Sequence, residues 1–161
     1  YLTFGLGEEI YACHVNKLLS ILEIPKITEI PGAPVYMKGI IDLRGKVLPL
    51  IDIKIKLHLP QVEFTKDTCI VVMDINFEND NLLVGILVDS VIEVMEFESD
   101  KILPPPNLGK KYQSKYIYGI VKKNDKFIML LDIDMLFSLD EIDLMRDTTE
   151  NHSEEIEKEA E

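Results

Sequence analysis

Tryptophan is absent from this chain of 161 residues, and cysteine (2), histidine (3) and glycine (8) are scarce. Two cysteines make no disulfide framework, and Cys13 and Cys69 both lie within apolar segments, so they read as buried free thiols. His14, His58 and His152 stand at no ligand spacing from either cysteine, so no zinc or haem motif can be assembled and no metal or cofactor is expected. Apolar runs are short, Cys69–Met73 being an example, against the ~20 residues that a membrane-crossing helix needs. Basic residues are outnumbered, Lys+Arg 17 against Asp+Glu 29, for a net charge of −12. Nucleic-acid binding rests on cations that neutralise phosphates, so no nucleic-acid partner is expected.

Familiar catalytic patterns are missing too. Gly5-Leu6-Gly7-Glu8-Glu9-Ile10 begins like a dinucleotide fingerprint, but it lacks the third glycine and a surrounding βαβ unit. No serine stands in a Gly-x-Ser-x-Gly elbow. Asp52 and Asp132 could suggest a duplicated carboxylate dyad, yet neither is followed by the small turn residues that such a dyad uses. Catalysis is not expected.

What the chain does contain is itself, twice. Gly39-Ile40-Ile41 through Leu50-Ile51-Asp52-Ile53 aligns without a gap on Gly119-Ile120-Val121 through Leu130-Leu131-Asp132-Ile133. Each copy reads as strand, hairpin tip (Arg44-Gly45 or Asn124-Asp125), strand and aspartate. The run from Tyr11 to Leu22 likewise matches Val84 to Met95 in apolar pattern, and a proline-marked loop follows in each half. Strands are expected near 1–6, 9–15, 26–30, 37–43 and 47–52, with a turn of helix at Asn16–Leu22, and then near 68–76, 82–88, 91–97, 115–122 and 126–131. Asp52 and Asp132 are expected to cap short helices. Leu139, Ile142 and Met145 fall at helical spacing, so a C-terminal helix should pack one face onto the body. Ten acidic and two basic residues occupy Asp140–Glu161, and the last dozen residues are too polar to order on their own.

The expected class is therefore all-β with short helices, built as two related five-stranded barrels. The apolar residues Leu18, Leu19, Ile21, Leu22, Ile24, Val91, Ile92, Val94 and Met95 exceed what two small barrels need, so some should remain for partners. That describes an interaction module; a ligand-binding sensor of the same build is the alternative.

Two stretches carry a resemblance. Tyr1-Leu2-Thr3-Phe4-Gly5-Leu6-Gly7-Glu8-Glu9 and the run from Tyr36 to Asp52, with Leu43-Arg44-Gly45 and Pro49-Leu50-Ile51-Asp52 at its centre, resemble the CheW family of chemotaxis coupling proteins. Val84–Asp89 and Ile102–Pro106 match further along, so the resemblance spans about residues 1–140. It implies two five-stranded SH3-like barrels packed together, at about 1–62 and 67–139 of a 1–139 domain, followed by a C-terminal helix and acidic tail at 140–161. It also implies a non-catalytic cytoplasmic adaptor that couples methyl-accepting chemoreceptors to the histidine kinase CheA in signalling arrays, with membrane association only through the receptors.

Carried over by position, the resemblance places Leu18, Ile27, Gly39, Arg44, Cys69, Val91 and Val94 in a receptor-binding groove. Val47 and the loop residues Leu103, Pro104 and Leu108 would face the kinase. Where relatives pair the arginine with a glutamate this chain has Ser20, with Glu23 three residues on, and Leu103 stands where relatives often carry a charge. The regulatory portion of a larger CheA- or CheV-type protein would read the same way.

Overall fold

The computed structural model describes residues 1–77, 80–105, 115–138 and 141–150. Ten strands appear in chain order: β1 (Leu2–Leu6), β2 (Glu9–Cys13), β3 (Leu18–Glu23), β4 (Met37–Leu43), β5 (Lys46–Asp52), β6 (Cys69–Phe77), β7 (Asp80–Val88), β8 (Ser90–Val94), β9 (Ile117–Lys123) and β10 (Lys126–Leu131). The two repeated hairpins turn through left-handed residues, Arg44 (φ 51°) with Gly45 (φ 86°) and Asn124 (φ 50°) with Asp125 (φ 64°). Two consecutive positive φ values are what a two-residue turn needs to match strand twist. The Asp42 carboxylate accepts from the Gly45 N–H at 2.8 Å and fixes the first tip.

Two sheets of five strands result, in the orders β8-β1-β2-β10-β9 (sheet A) and β3-β6-β7-β5-β4 (sheet B). Among the described residues no ladder joins the outer strands of either sheet into a closed barrel. Each sheet takes strands from both halves of the chain, so the boundary expected between 1–62 and 67–139 separates the copies of the repeat and not the two sheets. The leading hairpin of each half, β1-β2 or β6-β7, sits in the sheet of the other half. The exchange is symmetric: β5 runs parallel to β7 with Leu50 opposite Gly85, and β10 runs parallel to β2 with Leu130 opposite Ala12. Those are equivalent positions of the repeat, so a sequence duplication has become two interleaved sheets.

Alternation along the strands sorts side chains into three apolar clusters. Leu2, Phe4, Leu6, Tyr11 and Cys13 of sheet A meet Val71, Met73, Ile75, Val84, Ile86 and Val88 of sheet B in the shared core. The opposite faces keep private clusters, Ile41, Leu48, Leu50, Ile70, Val72 and Leu87 in sheet B, and Ala12, Val121, Ile128 and Leu130 in sheet A.

Three local expectations are revised. Asn16–Leu22 is not helical: a single 3-10 turn at Val15–Lys17 leads directly into β3. Apolar residues on both faces of Leu18–Leu22 leave periodicity undecided, and the ladder to β6 decides for a strand. The strand near 26–30 reduces to one bridge, Thr28 opposite Ile40, since Pro25 and Pro31 remove donors on either side. Asp52 caps α1 (Ile53–Lys56) by accepting from Lys54 N at 3.0 Å, but Asp132 makes no such bond ahead of the 3-10 turn Ile133–Leu136.

Interleaving obliges the chain to cross between sheets, at His14–Lys17 and at Asp89. The second crossing is pinned by one carboxylate. Asp89 Oδ1 accepts from Lys54 Nζ at 2.6 Å, Oδ2 accepts from Gly7 N at 2.7 Å, and Asp89 N donates to Gly5 O at 3.0 Å. Lys54 is only 3% exposed. The counterpart at the first crossing is Lys17–Asp134 at 2.8 Å, with acid and base interchanged between the two halves. The C-terminal helix α2 (141–150) closes one end of the shared core with Ile142 and Met145. A reciprocal capping box starts it, Ser138 N to Glu141 Oε1 at 3.0 Å and Glu141 N to Ser138 Oγ at 3.2 Å. Glu141 also pairs with Lys56, whose ammonium lies over the Tyr36 and Phe137 rings.

Two outcomes follow from these pairs. Asp89→Ala, which strands the buried Lys54 ammonium, should cost about 3–5 kcal/mol in urea unfolding, whereas Lys54→Met should cost far less or stabilise. Burial of Glu141 opposes ionisation, but its bonds to Lys56 and Ser138 prevail and hold its carboxyl below the ordinary glutamate value. A depressed folded-state pKa contributes stability that is present above the unfolded value and lost as pH falls through the folded one. Hydrogen exchange should therefore show α2 losing protection on acidification below about pH 4.5 in the wild type, and less pH dependence in Glu141→Gln.

Candidate functional site

Residues proposed for receptor contact from the sequence occupy several places. Leu18, Cys69 and Val91 are half-buried and pack on the shared core. The Val91 backbone in sheet A acts on the Cys69 thiol of sheet B and favours its charged form. Burial nevertheless raises the Cys69 thiol above its ordinary value, and it pushes the fully buried Cys13 up to about 12. Leu18 lies along the same ladder, opposite Met73, while Cys69 sits at the far end opposite Glu23.

Ile27 belongs instead to the private cluster of sheet B, and it touches Gly39. Gly39 itself is buried at φ 151°, and a Cβ there would stand 2.2 Å from the Thr28 carbonyl oxygen and 3.1 Å from Ile27 Cγ2. The close approach that this glycine permits is therefore that of its own chain at the Thr28–Ile40 bridge. Arg44 projects from the β4–β5 tip, exposed and in no ion pair among the described residues. Val94 is 64% exposed on β8. Of the residues expected from the sequence to face the kinase, Val47 packs half-buried on the shared core, Leu103 and Pro104 are exposed, and Leu108 lies outside the described residues. Leu103 is fastened to β9 by a bridge to Ile120.

The repeat brings out a feature that single positions did not. Strands β3 and β8 are equivalent edge strands, and each turns an apolar pair to solvent, Leu19 with Ile21 and Ile92 with Val94. The matched runs Leu18–Leu22 and Val91–Met95 carried that signal, but only the strand assignment says which residues point out. Unpaired edges and exposed apolar side chains suit recruitment of another chain. Two small cavities accompany them, about 190 Å³ beside Ile92, Glu93 and Lys123, and about 240 Å³ beside His14, Tyr118 and Asp132. Among the described residues no group of three or more His, Cys, Asp and Glu is arranged to hold a metal ion, and no helix is long and apolar enough to cross a membrane.

Two interleaved β-sheets with duplicated apolar edges define a β-sheet interaction module. The particular family follows from comparison with known proteins, since the CheW-like domain model matches residues 1–141, and the chain belongs to that family. Chemotaxis protein CheW of Klebsiella aerogenes is 28% identical over 152 residues, covering 94% of this chain and 89% of the relative. The protein of the same name from Treponema pallidum is 30% identical over 142 residues, covering 87% and 82%. In three dimensions, the scaffolding protein TtCheW of Thermoanaerobacter tengcongensis is similar at TM-score 0.74 and 31% identity, over 86% of this chain and 91% of that one.

Gly39→Ala should destabilise the fold by about 1–3 kcal/mol or more, the scale of backbone strain, before any steric shift of Thr28 is added. Thermal melting measures the loss. Partner affinity per folded molecule should stay unchanged, because the position faces its own chain.

Proposed function

We propose that the chain is a non-catalytic adaptor of chemotaxis signalling, joining methyl-accepting receptors to the histidine kinase CheA on the cytoplasmic side of the membrane. The observation that carries this reading is the family match across residues 1–141 together with relatives named as chemotaxis and scaffolding proteins. The geometry supports it. A receptor tip is helical, and an amphipathic helix docks by laying its apolar stripe along an apolar strip with polar flanks. The half-buried Leu18, Cys69 and Val91 and the exposed Val94 offer apolar surface for it, and Arg44 supplies a cation that no carboxylate pairs with among the described residues. On this reading Ile27 and Gly39 support the receptor face from beneath, while Val47, Leu103, Pro104 and Leu108 belong to the kinase-facing surfaces.

Co-sedimentation of the purified chain with receptor-bearing membranes and CheA tests the assignment. Wild type should pellet with receptor membranes and bind CheA, and Val91→Asp should abolish receptor recruitment while CheA binding survives. Arg44→Asp should weaken receptor recruitment about tenfold with an unchanged melting temperature. Equal recruitment of the Arg44 variant would remove that residue from the groove, and absence of both partners would overturn the adaptor reading.

A further inference from the structure

The two halves of the repeat treat one carboxylate differently. Asp52 and Asp132 are equivalent, and each backbone N–H donates at 2.8 Å to the carbonyl of an equivalent tyrosine, Tyr36 or Tyr116. Asp52 is then engaged at both oxygens. Its Oδ1 accepts from Lys54 N at 3.0 Å, and its Oδ2 faces the Lys38 ammonium at 3.9 Å. At the equivalent of Lys38 the second half carries Tyr118, and at the equivalent of Lys54 it carries Asp134. Among the described residues Asp132 accepts no cap bond and forms no ion pair. Beside Tyr118 and Asp132 a cavity of about 240 Å³ opens, lined also by His14, Asn16, Lys17 and Asp134.

We propose that this cavity binds an organic ammonium group, which takes at Asp132 the place that Lys38 takes at Asp52. The charge balance favours a cation. Lys17 is already paired with Asp134 at 2.8 Å, and the His14 Nδ1 is occupied as the acceptor of the Asn16 N–H at 3.1 Å. That leaves the Asp132 carboxylate as the uncompensated charge in the wall. Two rings, of Tyr118 and His14, share the lining and suit an ammonium further, since a cation is attracted to an aromatic face. Burial, a hydrogen bond with Tyr1 and the nearby Asp132 carboxylate all raise the Tyr118 hydroxyl's pKa, so it stays a protonated donor at neutral pH. The site lies on the His14–Lys17 crossing, and it does not depend on the adaptor reading.

Amide chemical shifts of the full ¹⁵N-labelled chain test this directly, with n-butylammonium as probe and butyrate as the charge-reversed control. Saturable shifts at Tyr118, Asp132 and Asp134 are expected with n-butylammonium and none with butyrate. Asp132→Asn should weaken binding about tenfold or more, the scale of one lost charged hydrogen bond. Tyr118→Lys should abolish binding with no loss of melting temperature, because the new side chain supplies the ammonium from within. This second variant keeps the test decisive should the first fold poorly. Nα-acetyl-lysine methylamide, whose side-chain ammonium is free, separates the sources as a further probe: comparable binding assigns the site to a partner's lysine, and binding of n-butylammonium alone assigns it to a free amine. Shifts that never saturate, or that are equal in wild type and Asp132→Asn, would overturn the proposal.

Discussion

A chain whose two halves exchange their leading hairpins must pass twice between sheets, and everything else in this molecule depends on holding those two passages. Asp89 holds the second. Its carboxylate binds the buried Lys54 ammonium below sheet B and the Gly7 N–H at the β1–β2 turn of sheet A, while its own N–H reaches Gly5. A buried ion pair is weak evidence for stability in general, because desolvation offsets the attraction. Here its value lies in specifying geometry: one acid ties three separated segments, so the sheets meet in one register.

The same passage in the first half uses Lys17 and Asp134, with charge reversed and more solvent around it. That asymmetry is informative. Duplication produced two equivalent frames, and divergence then sealed one and left the other open. Around Asp52 the carboxylate is capped and faced by Lys38; Asp132 has neither a cap bond nor an ion pair among the described residues, and it lines a cavity. The edge strands diverged less. Leu19 and Ile21 on β3, and Ile92 and Val94 on β8, keep the same outward apolar pair in both halves, as a surface used for recruitment would.

Much of this was legible in the residues, and what was not has physical reasons. The repeat, the positive-φ hairpin tips at Arg44-Gly45 and Asn124-Asp125, and the helix carrying Ile142 and Met145 were readable because each rests on local pattern. The exchange of hairpins was not, since β1-β2 would show the same alternation whichever sheet it joined; only the parallel pairings β5–β7 and β10–β2 distinguish the two. Strand β3 was hidden by apolar residues on both of its faces. At the site, the resemblance named Cys69 and Val91 together, and the Val91 backbone does act on the Cys69 thiol, but no local pattern could show that Gly39 lies against its own chain at Thr28. Lys54, Asp89 and the open carboxylate of Asp132 escaped because their meaning comes from partners distant in sequence.

Interleaving itself is the claim with the sharpest test. Each half carries only three of the five strands of its principal sheet, so neither can complete a sheet alone. Residues 1–64 and 65–161 expressed as separate polypeptides, a break within the loop between α1 and β6, should each lack a cooperative thermal transition by circular dichroism. Mixed in equal amounts, they should recover the β-sheet spectrum and a single transition. Cooperative unfolding of either fragment by itself would mean that each half forms its own sheet, and it would contradict the exchange.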